Sequence, residues 1–434
     1  MREMKDSGIE WINYIPTEWK LKRIKYTLKS RTENNNPIRS RNILSLTAKQ
    51  GVIPIEEKEG GGNKPKEDYS AYRLAYPGDI VMNSMNILSG SVGLSNYFGC
   101  VSPVYYMLHP FLKEDDVRYF NYIFQTTVFQ KSLLGLGNGI LMKESENGKF
   151  NTIRMRIPLD KFGNLYIPVP DCTTQKIIAD FLDEKCSEID SLRKDIEKEI
   201  ELLEEYKKSV ITEAVTKGLN PDVEMKKTNF QYWSNIPSSW KMMRIKYIFE
   251  IVKRIAGKEG YDILSVTQKG LRKKDISNNQ GQIASDYSNY QFVYPTDYVM
   301  NHMDLLTGWV DCSNMFGVTS PDYRVFRLRN QHDNDLNYYK YVLQSCYLNH
   351  IFYSLGAGVS SLGRWRLQTE TFNNFLFPVP SVSEQRAISI YLDKRCLEID
   401  ILISEKNEQL ETLDHYKKSL IYEYVTGKKE VSAV

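Results

Sequence analysis

The feature that most constrains this 434-residue chain is a long segment that occurs twice, 210 residues apart. Residues 167–216 and 377–426 are identical at 22 of 50 positions when one is laid over the other without a gap. Both copies begin at a Pro-Val-Pro sequence, and both end in a Tyr-Lys-Lys-Ser motif shortly before Val-Thr. Agreement over this length indicates an internal repeat.

Each copy predicts a long amphipathic helix. In the first copy apolar residues recur every seven positions from Leu182 to Val210, and Leu192 widens the stripe. A stripe of this period that contains no Pro or Gly is typical of a helix with one apolar face. In the second copy Lys406 interrupts the stripe. This lysine has two interpretations: it is either a polar residue that fixes the register of a helix pair or a lysine at the edge of the helix.

Helices of this length need a partner. A helix of about 40 residues is roughly 60 Å long, and a small domain alone cannot cover its apolar face. We therefore predict that the two helices pair as a coiled coil within one chain, either parallel or antiparallel. The alternative is two separate helices that each pack on a local domain. Cys186 and Cys396 fall on the apolar faces, so buried thiols are expected there.

Composition bounds the class of protein. With 41% hydrophobic and 26% charged residues, the chain is an ordinary globular sequence, long enough for two or three domains. The charged residues 1–10 contain no apolar run, and no stretch of 18 apolar residues occurs, so a cytoplasmic protein without a membrane span is expected. The six cysteines form no CxxC pair and the five histidines are scattered, which argues against a zinc site with sequence-local ligands.

The charge of the chain is unevenly distributed. Residues 171–217 carry a net charge of −5 and residues 381–427 carry −3, whereas the whole chain is +3. The segments outside the helices therefore sum to +11. This balance favours acidic helices that act as spacers and basic domains that bind a polyanion.

The segments that precede the two helices also share motifs. The shared motifs are Ile-Pro at 15–16 and 236–237, Arg-Ile-Lys-Tyr at 23–26 and 244–247, Tyr-Pro-x-Asp at 76–79 and 294–297, and Leu-Gly-x-Gly at 136–139 and 355–358. Short β-branched and aromatic runs between Gly, Pro, Asn and Asp predict two mixed α/β domains with a strongly bent sheet. Each domain has one helical patch, near 119–134 and near 338–355, and the order is domain, helix, domain, helix.

The polar loops between these motifs differ in the two copies, which favours two sites of one kind that recognise different targets.

The loops Gly137-Asn138-Gly139 and Gly356-Ala357-Gly358 have two interpretations. Their backbone N–H groups could approach a phosphate, or the glycines could simply end a helix.

Motifs for catalysis are missing from the sequence. It contains no GxxxxGK[ST] phosphate loop and no Asn/Asp-Pro-Pro-aromatic turn of the kind that holds a base for adenine methylation. Pro221, Asp222, Glu224 and Lys226 are weakly similar to a nuclease carboxylate cluster, but they are crowded into a linker. We therefore predict a chain without a catalytic site of its own.

Taken in order, these motifs are similar to those of the DNA-specificity subunits of type I restriction-modification systems. The resemblance covers nearly the full chain. It rests on the Ile-Pro…Trp…Arg-Ile-Lys openings, the Tyr-Pro-x-Asp motifs, the Pro-Val-Pro…Gln helix starts and the Tyr-Lys-Lys-Ser…Val-Thr helix ends, each of which is present twice.

The resemblance implies an α/β (α+β) fold built by internal duplication. Two target-recognition domains would be held apart by two long helices in an intramolecular antiparallel coiled coil. The expected boundaries are 1–170 for the first domain, 171–219 for the first helix, 220–380 for the second domain, 381–427 for the second helix and 428–434 for a tail.

It also implies the biochemical setting. The chain would bind double-stranded DNA at a bipartite, asymmetric site, together with two methyltransferase (M) subunits and with restriction (R) subunits. The M subunits would bind S-adenosylmethionine and methylate adenine, and the R subunits would use ATP. No cofactor and no metal is expected on this chain itself.

Side-chain chemistry then selects candidate DNA contacts at loop tips. Arg and Lys suit guanine or phosphate, and Asn and Gln suit adenine. The candidates are Lys49, Gln50, Lys64, Lys66, Asn83, Asn86, Asn138 and Lys143 in the first domain, and Gln268, Lys269, Arg272, Lys273, Lys274, Asn301, Arg364 and Arg366 in the second. For each of them a solvated surface role is the alternative.

Two other classes of function remain open. The chain could be a stand-alone DNA methyltransferase or nuclease with its own recognition domain, in which case the purified chain alone would modify DNA. It could instead be a coiled-coil scaffold that binds only proteins, in which case the assembled complex would show no sequence-dependent DNA binding.

Overall fold

A computed structural model describes residues 2–47, 50–58, 65–85, 91–139, 143–144, 150–151, 155–274, 286–358 and 365–431; at 138–139, 143–144, 150–151 and 155 it describes the backbone alone. Internal contacts divide the chain into two compact units. The first unit comprises Met1–Ile196 and Glu408–Val434, and the second comprises Glu197–Asn407. Each unit therefore contains one half of each long helix.

The first unit combines short antiparallel strands with helices. Its strands are β1 Met4–Asp6, β2 Tyr14–Pro16, β3 Lys20–Arg23, β4 Leu28–Arg31, β5 Leu44–Thr47, β6 Gly51–Pro54, β7 Arg73–Ala75, β8 Ile80–Asn83, β9 Val92–Leu94, β10 Gly99–Val101, β11 Tyr105–Pro110, β12 Asn138–Gly139, β13 Lys143–Glu144, β14 Phe150–Asn151, β15 Met155–Arg156 and β16 Tyr166–Val169. Its short helices are α1 Val117–Gln125, α2 Thr127–Ser132 and α3 Leu159–Gly163. The first long helix, α4, spans Cys172–Lys217.

The central sheet of the first unit has four antiparallel strands in the order β4-β11-β8-β9. Strand β11 lies in the middle, where Met107 pairs with Arg31 on one side and with Val81 on the other. The apolar sides of the sheet and of helices α1 and α2 form one core, in which Tyr119, Phe124 and other aromatic side chains are buried. Burial of these large rings removes much apolar area from water and so stabilises the unit.

The second unit repeats this plan. Its strands are β17 Met225–Lys227, β18 Asn235–Pro237, β19 Lys241–Arg244, β20 Phe249–Val252, β21 Leu264–Thr267, β22 Gly270–Lys273, β23 Gln291–Val293, β24 Tyr298–Met300, β25 Val310–Cys312, β26 Gly317–Thr319, β27 Arg324–Leu328 and β28 Leu376–Val379. Its short helices are α5 Ile245–Ile248, α6 Leu336–Leu348, α7 Ile351–Ser354 and α8 Thr369–Asn374, and the second long helix, α9, spans Val382–Val425.

The sheet of the second unit has the strand order β20-β27-β24-β25, which is the order of the first unit strand for strand. In both units the strand before the long helix pairs with a strand near the start of the domain, β16 with β3 and β28 with β19. The predicted α+β class, with two mixed domains and two long helices, is confirmed. The shared strand order agrees with the repeat in the sequence.

The long helices pair antiparallel within each unit. In the first unit Asp190 of α4 forms an ion pair with Lys417 of α9 at 2.6 Å, and Arg193 of α4 pairs with Asp414 of α9 at 3.2 Å. The residue number thus increases along α4 while it decreases along α9, which is the mark of an antiparallel pair. In the second unit Lys207 pairs with Asp400 at 2.7 Å. No helix in the described ranges has a stretch long and apolar enough to cross a membrane.

Lys406, which interrupts the apolar stripe, lies at the edge of the helix pair. Its ammonium group forms an ion pair with Glu199 at 2.6 Å, and its side chain is partly exposed. The aliphatic part of the lysine side chain therefore covers the apolar contact between the helices, and its ammonium group stays beside a carboxylate, as expected for a lysine at a helix edge.

A buried glutamine joins each domain to its long helix. In the first unit the side-chain amide of Gln175 donates to Asp115 at 2.9 Å and to the carbonyl of Pro170 at 3.0 Å, and its oxygen accepts from the backbone N–H of Asp116 at 3.0 Å. In the second unit Gln385 accepts from the backbone N–H of Asp335 at 2.8 Å. Because buried polar groups are costly when unpaired, these bonds fix where each helix leaves its domain.

The apolar stripe is narrower than the sequence pattern predicts. Leu182 and Ile189 are buried in the first unit, and Cys186 and Cys396 are buried thiols, as expected. Leu192, however, is 48% exposed, so its assignment to the stripe was wrong. The helix turns it towards solvent because, ten residues after Leu182, it lies about 80° round the helix from that residue's position, at the edge of a 100°-wide face.

Replacing Leu182 by Ala tests the helix packing. Because the Leu182 side chain is 0% exposed, we expect its loss to lower the free energy of unfolding of the first unit by about 2–5 kcal/mol. The matched control Leu192→Ala should cost less than about 0.5 kcal/mol. Hydrogen exchange of the amides in 172–196 measures both, and equal protection in the two variants would contradict the packing described above.

Candidate nucleic-acid interface

In the second unit a loop with a fixed start follows strand β24. The first residue after the strand, Asn301, accepts a hydrogen bond on its side-chain oxygen from the backbone N–H of Met303 at 3.3 Å. Its own N–H donates to the carbonyl of Trp309 at 3.0 Å, and its carbonyl accepts from the hydroxyl of Tyr347 at 2.8 Å. These bonds hold both ends of the loop that connects β24 to β25.

The hairpin of β21 and β22 points its tip at this loop. Gln268 and Lys269 form the tip, and Gly270 has a φ of +95°, a backbone conformation that glycine adopts without strain. The hydroxyl of Thr267 accepts from the N–H of Lys269 at 3.2 Å. The side-chain amide of Gln268 lies 3.4 Å from the carbonyl of Thr307, so the predicted tip residue contacts the loop after β24.

Arg366 approaches the same loop from the other side. It pairs with Ala357 through two backbone hydrogen bonds of 3.0 and 3.1 Å, and the N–H of Leu367 donates to the carbonyl of His302 at 3.0 Å. A Cβ on Gly356 would lie 2.8 Å from Leu305, so this glycine permits the close approach of the two segments. The structure therefore brings Gln268, Asn301 and Arg366 to one edge of the second unit.

The first unit has the same arrangement. The side-chain oxygen of Asn83, at the end of β8, accepts from the N–H of Met85 at 3.0 Å. The predicted contact Gln50 lies at the tip of the hairpin of β5 and β6, where its N–H donates to the hydroxyl of Thr47 at 2.9 Å. Gly51 of this hairpin approaches Gly93 of β9 so closely that a Cβ on Gly93 would lie 2.9 Å from it.

Arg156 completes the set in the first unit, and the sequence analysis missed it. It pairs with Asn138 as Arg366 pairs with Ala357, its side chain is exposed, and the next residue, Ile157, donates to the carbonyl of Ser84 at 3.1 Å. The segment between Asn138 and Arg156 is longer than the segment between Ala357 and Arg366, so the two arginines lie at different distances from the glycine loops and their equivalence is hidden. The constant offset of 210 between the helix repeats nevertheless relates Arg156 to Arg366 and could have revealed it.

Other predicted residues lie away from the hairpin tips. Lys273 is at the base of the β21–β22 hairpin, where it forms an ion pair with Asp262 at 2.6 Å, and Lys274 follows it. Arg272 is exposed on β22, one residue nearer the tip. In the first unit the backbone N–H of Lys66 donates to the hydroxyl of Tyr72 at 2.7 Å. These four residues stay predictions as DNA contacts.

Some predictions fall outside the described residues. Lys49, Lys64, Asn86 and Arg364 are not described, and Asn138 and Lys143 are described by their backbone alone. Within the ranges that are described, no group of three or more His, Cys, Asp or Glu side chains is placed to hold a metal ion.

An ion pair between a partly exposed arginine and a buried aspartate supports the opposite end of each central sheet. Arg31 donates to Asp79 at 2.9 and 3.2 Å, and Arg254 donates to Asp297 at 2.8 and 3.1 Å. Each carboxylate also accepts from the backbone N–H of the tyrosine three residues earlier, which fixes the turn before β8 or β24. The hydrogen bonds that the guanidinium groups donate to these carboxylates raise the pKa of Arg31 and of Arg254. This rigid turn positions the strand that ends at Asn83 or Met300.

Comparison with known proteins finds a similarity to a described family in the second half of the chain. Residues 237–412 match the family described as type I restriction modification DNA specificity domain. The type I restriction enzyme MjaVIII specificity subunit of Methanocaldococcus jannaschii is 26% identical over 290 residues, which are 62% of this chain and 63% of that subunit. The similarity thus spans less than two thirds of the length of this relative.

Solved structures extend the likeness of fold to nearly the whole chain. A chain from a structure concerned with complex assembly and conformational transition of the type I R-M system matches with a TM-score of 0.66 at 13% identity, over 96% of this chain and 99% of that chain. The HsdS subunit from Thermoanaerobacter tengcongensis matches with a TM-score of 0.49 at 12% identity, over 98% and 100%. The resemblance predicted from the repeated motifs is confirmed: residues 237–412 match the type I DNA specificity domain, and the chain is similar over 290 residues to a type I specificity subunit.

Proposed function

We propose that this chain is the non-catalytic DNA-specificity subunit of a type I restriction-modification complex. It reads a bipartite, asymmetric site on double-stranded DNA and directs adenine methylation or restriction by its partners. The observation that carries this proposal is that each unit gathers the same kinds of side chain at the same edge: Gln50, Asn83 and Arg156 in the first, and Gln268, Asn301 and Arg366 in the second.

These side chains suit base and phosphate recognition. Asn and Gln can form paired hydrogen bonds with adenine, and Arg can do so with guanine or contact a phosphate. They stand on hairpin tips and on a loop whose ends are hydrogen-bonded, so they are held by a rigid frame. The net charge of +11 outside the long helices supplies the attraction to DNA.

The same proposal assigns the partners. Two M subunits bind S-adenosylmethionine and methylate adenine, R subunits use ATP, and the chain itself binds neither cofactor. The protein acts in the cytoplasm, where the DNA is. We retain the boundaries 1–170, 171–219, 220–380 and 381–427, because α4 and α9 end within three residues of the proposed helix limits.

The first test is the salt dependence of binding. For the chain assembled with its M subunits, we expect the logarithm of the binding constant to fall linearly with the logarithm of salt concentration, by about 0.9 for each phosphate contacted. Fluorescence anisotropy with a labelled duplex measures the slope. A slope near zero would show that the basic domains face a ligand other than DNA.

The second test separates the two half-sites. Replacing Gln268 by Ala should remove selectivity at one base pair of a single half-site, and weaken the preference there by about 1–3 kcal/mol. Competition with duplexes carrying single base-pair changes measures this preference. Lys273→Ala is the control, because Lys273 lies at the hairpin base beside Asp262 and should leave base selectivity unchanged.

Two results would contradict this assignment. Equal loss of selectivity at both half-sites in the Gln268→Ala complex would mean that the units do not read separate sequences. Transfer of a labelled methyl group from S-adenosylmethionine to DNA by the purified chain alone would instead reveal a stand-alone methyltransferase.

A further inference from the structure

The second unit buries an arginine that lacks an acidic partner. Arg324, the first residue of β27, is 4% exposed. Its Nη2 donates to the carbonyl of Leu367 at 2.9 Å, whereas its Nη1 has no hydrogen-bond partner among the described residues. Among the described side chains, none forms an ion pair with it. A buried, unpaired cation is costly, so its presence calls for a physical reason.

The fold does not need this charge. In the first unit Tyr106 occupies the same register, since Tyr106 pairs with Met82 of β8 and Arg324 pairs with Met300 of β24. The hydroxyl of Tyr106 donates to the carbonyl of Ile157 at 2.9 Å, as Arg324 does to Leu367. A neutral tyrosine therefore makes the structural hydrogen bond in one unit, and the other unit makes it with a cation.

The neighbours of Arg324 add positive charge and a second unpaired donor. His302 is 8% exposed, and its Nε2 accepts from the Nε of Arg366 at 3.4 Å. Because Nε2 accepts, the proton of a neutral imidazole is on Nδ1, and within the described part of the chain this buried atom has no partner either. Arg366 is exposed at the surface above His302.

The protonation states follow from burial. Burial, followed by the charges of Arg324 and Arg366, lowers the pKa of His302 to about 3, so the imidazole is neutral near pH 7. Burial also lowers the pKa of Arg324 to about 10, which leaves the guanidinium charged near pH 7. The cluster thus holds two cations and a neutral histidine at the edge that also carries Gln268 and Asn301.

We propose that Arg366, His302 and Arg324 form an anion site that takes one phosphate of the DNA backbone in the half-site bound by the second unit. Arg366, which is exposed, contacts the phosphate directly. Arg324 lies deeper in the protein and attracts the phosphate electrostatically, and because it is buried, solvent screens its charge only weakly. A phosphate fits better than a base edge, because only a full negative charge offsets a buried cation. This inference rests on the proposed DNA-binding function and adds a contact to it.

The variant Arg324→Tyr tests the site, because it installs the residue that the first unit carries at this register. In the complex with M subunits, we expect the salt slope to become shallower for all specific sequences alike, by less than the value of about 0.9 for a whole phosphate, because Arg366 still contacts it. Binding should weaken by up to roughly tenfold, because the weakly screened charge of Arg324 no longer attracts the phosphate. The control Arg327→Ala removes an exposed arginine of the same strand that pairs with Glu250, and it should change neither quantity.

A scan with single methylphosphonate substitutions locates the phosphate. Each substitution removes one backbone charge, and we expect the wild-type complex to lose affinity at one position of the second half-site. The Arg324→Tyr complex should lose less affinity than the wild-type complex at that position, because only Arg366 still attracts that phosphate. Circular dichroism shows whether Arg324→Tyr folds. If it does not, Arg324→Gln replaces it in both experiments, because glutamine removes the charge and keeps a hydrogen-bond donor for the carbonyl of Leu367.

The outcomes separate this inference from the proposed function. A wild-type slope and an unchanged methylphosphonate profile in Arg324→Tyr would overturn the phosphate site while leaving DNA recognition intact. A relaxed preference at one base pair, without a change in the salt slope, would also overturn the phosphate site. That result would mean that Arg324 helps to recognise a base and not a phosphate. Failure of the wild-type complex to bind any specific duplex would overturn the proposed function instead.

Discussion

The apolar face of the long helices is the constraint on which each unit depends. A helix such as α4 has more apolar surface along its length than a domain of this size can cover, so half of one long helix pairs antiparallel with half of the other in each unit. The same halves contribute Leu182 to the core of the first unit and Leu392 to that of the second. Loss of this burial would therefore loosen the helix pair and the domain core together.

The joints between domains and helices keep the candidate interface of each unit in place. Gln175 and Gln385 fix the first turn of each long helix, and Tyr119 and Tyr338 donate to the carbonyls of Pro168 and Pro378 in the strands just before them. These bonds are buried, so they hold each strand-to-helix corner in a single geometry. The frame is thus the same in both units, and the hairpin tips and loops can differ without disturbing it.

Much of this frame could be predicted from the sequence, because repetition and periodicity record the burial pattern directly. The two long helices and the mixed domains follow from the 210-residue repeat and its seven-residue apolar rhythm. Placement of side chains round the helix was less predictable: Leu192 fits the apolar composition of the stripe, yet solvent covers its position. The pairing of the helices was left open by the pattern, since an apolar stripe alone is compatible with both directions.

The candidate interface was predictable only where loop chemistry and position coincide. Gln50 and Gln268 were predicted at loop tips because polar residues at turns between strands lie there, and the structure has both at hairpin tips, while their role as DNA contacts stays a prediction. Arg156 could not be found by matching the glycine loops, because the pairing of Asn138 with Arg156 spans a segment of different length in the two copies. Arg324 gave no signal, because an arginine within an apolar strand run becomes unusual only when its burial and lack of an acidic partner are known.

The central claim, that the two units read two parts of one DNA site, is tested most directly by sequencing the methylated bases in a host that expresses this chain with its M subunits. We expect methylated adenines in a single motif composed of two different half-sites separated by an unread gap, and we expect the modification to vanish when this chain is deleted. A continuous motif without a gap, or methylation that persists without this chain, would contradict it.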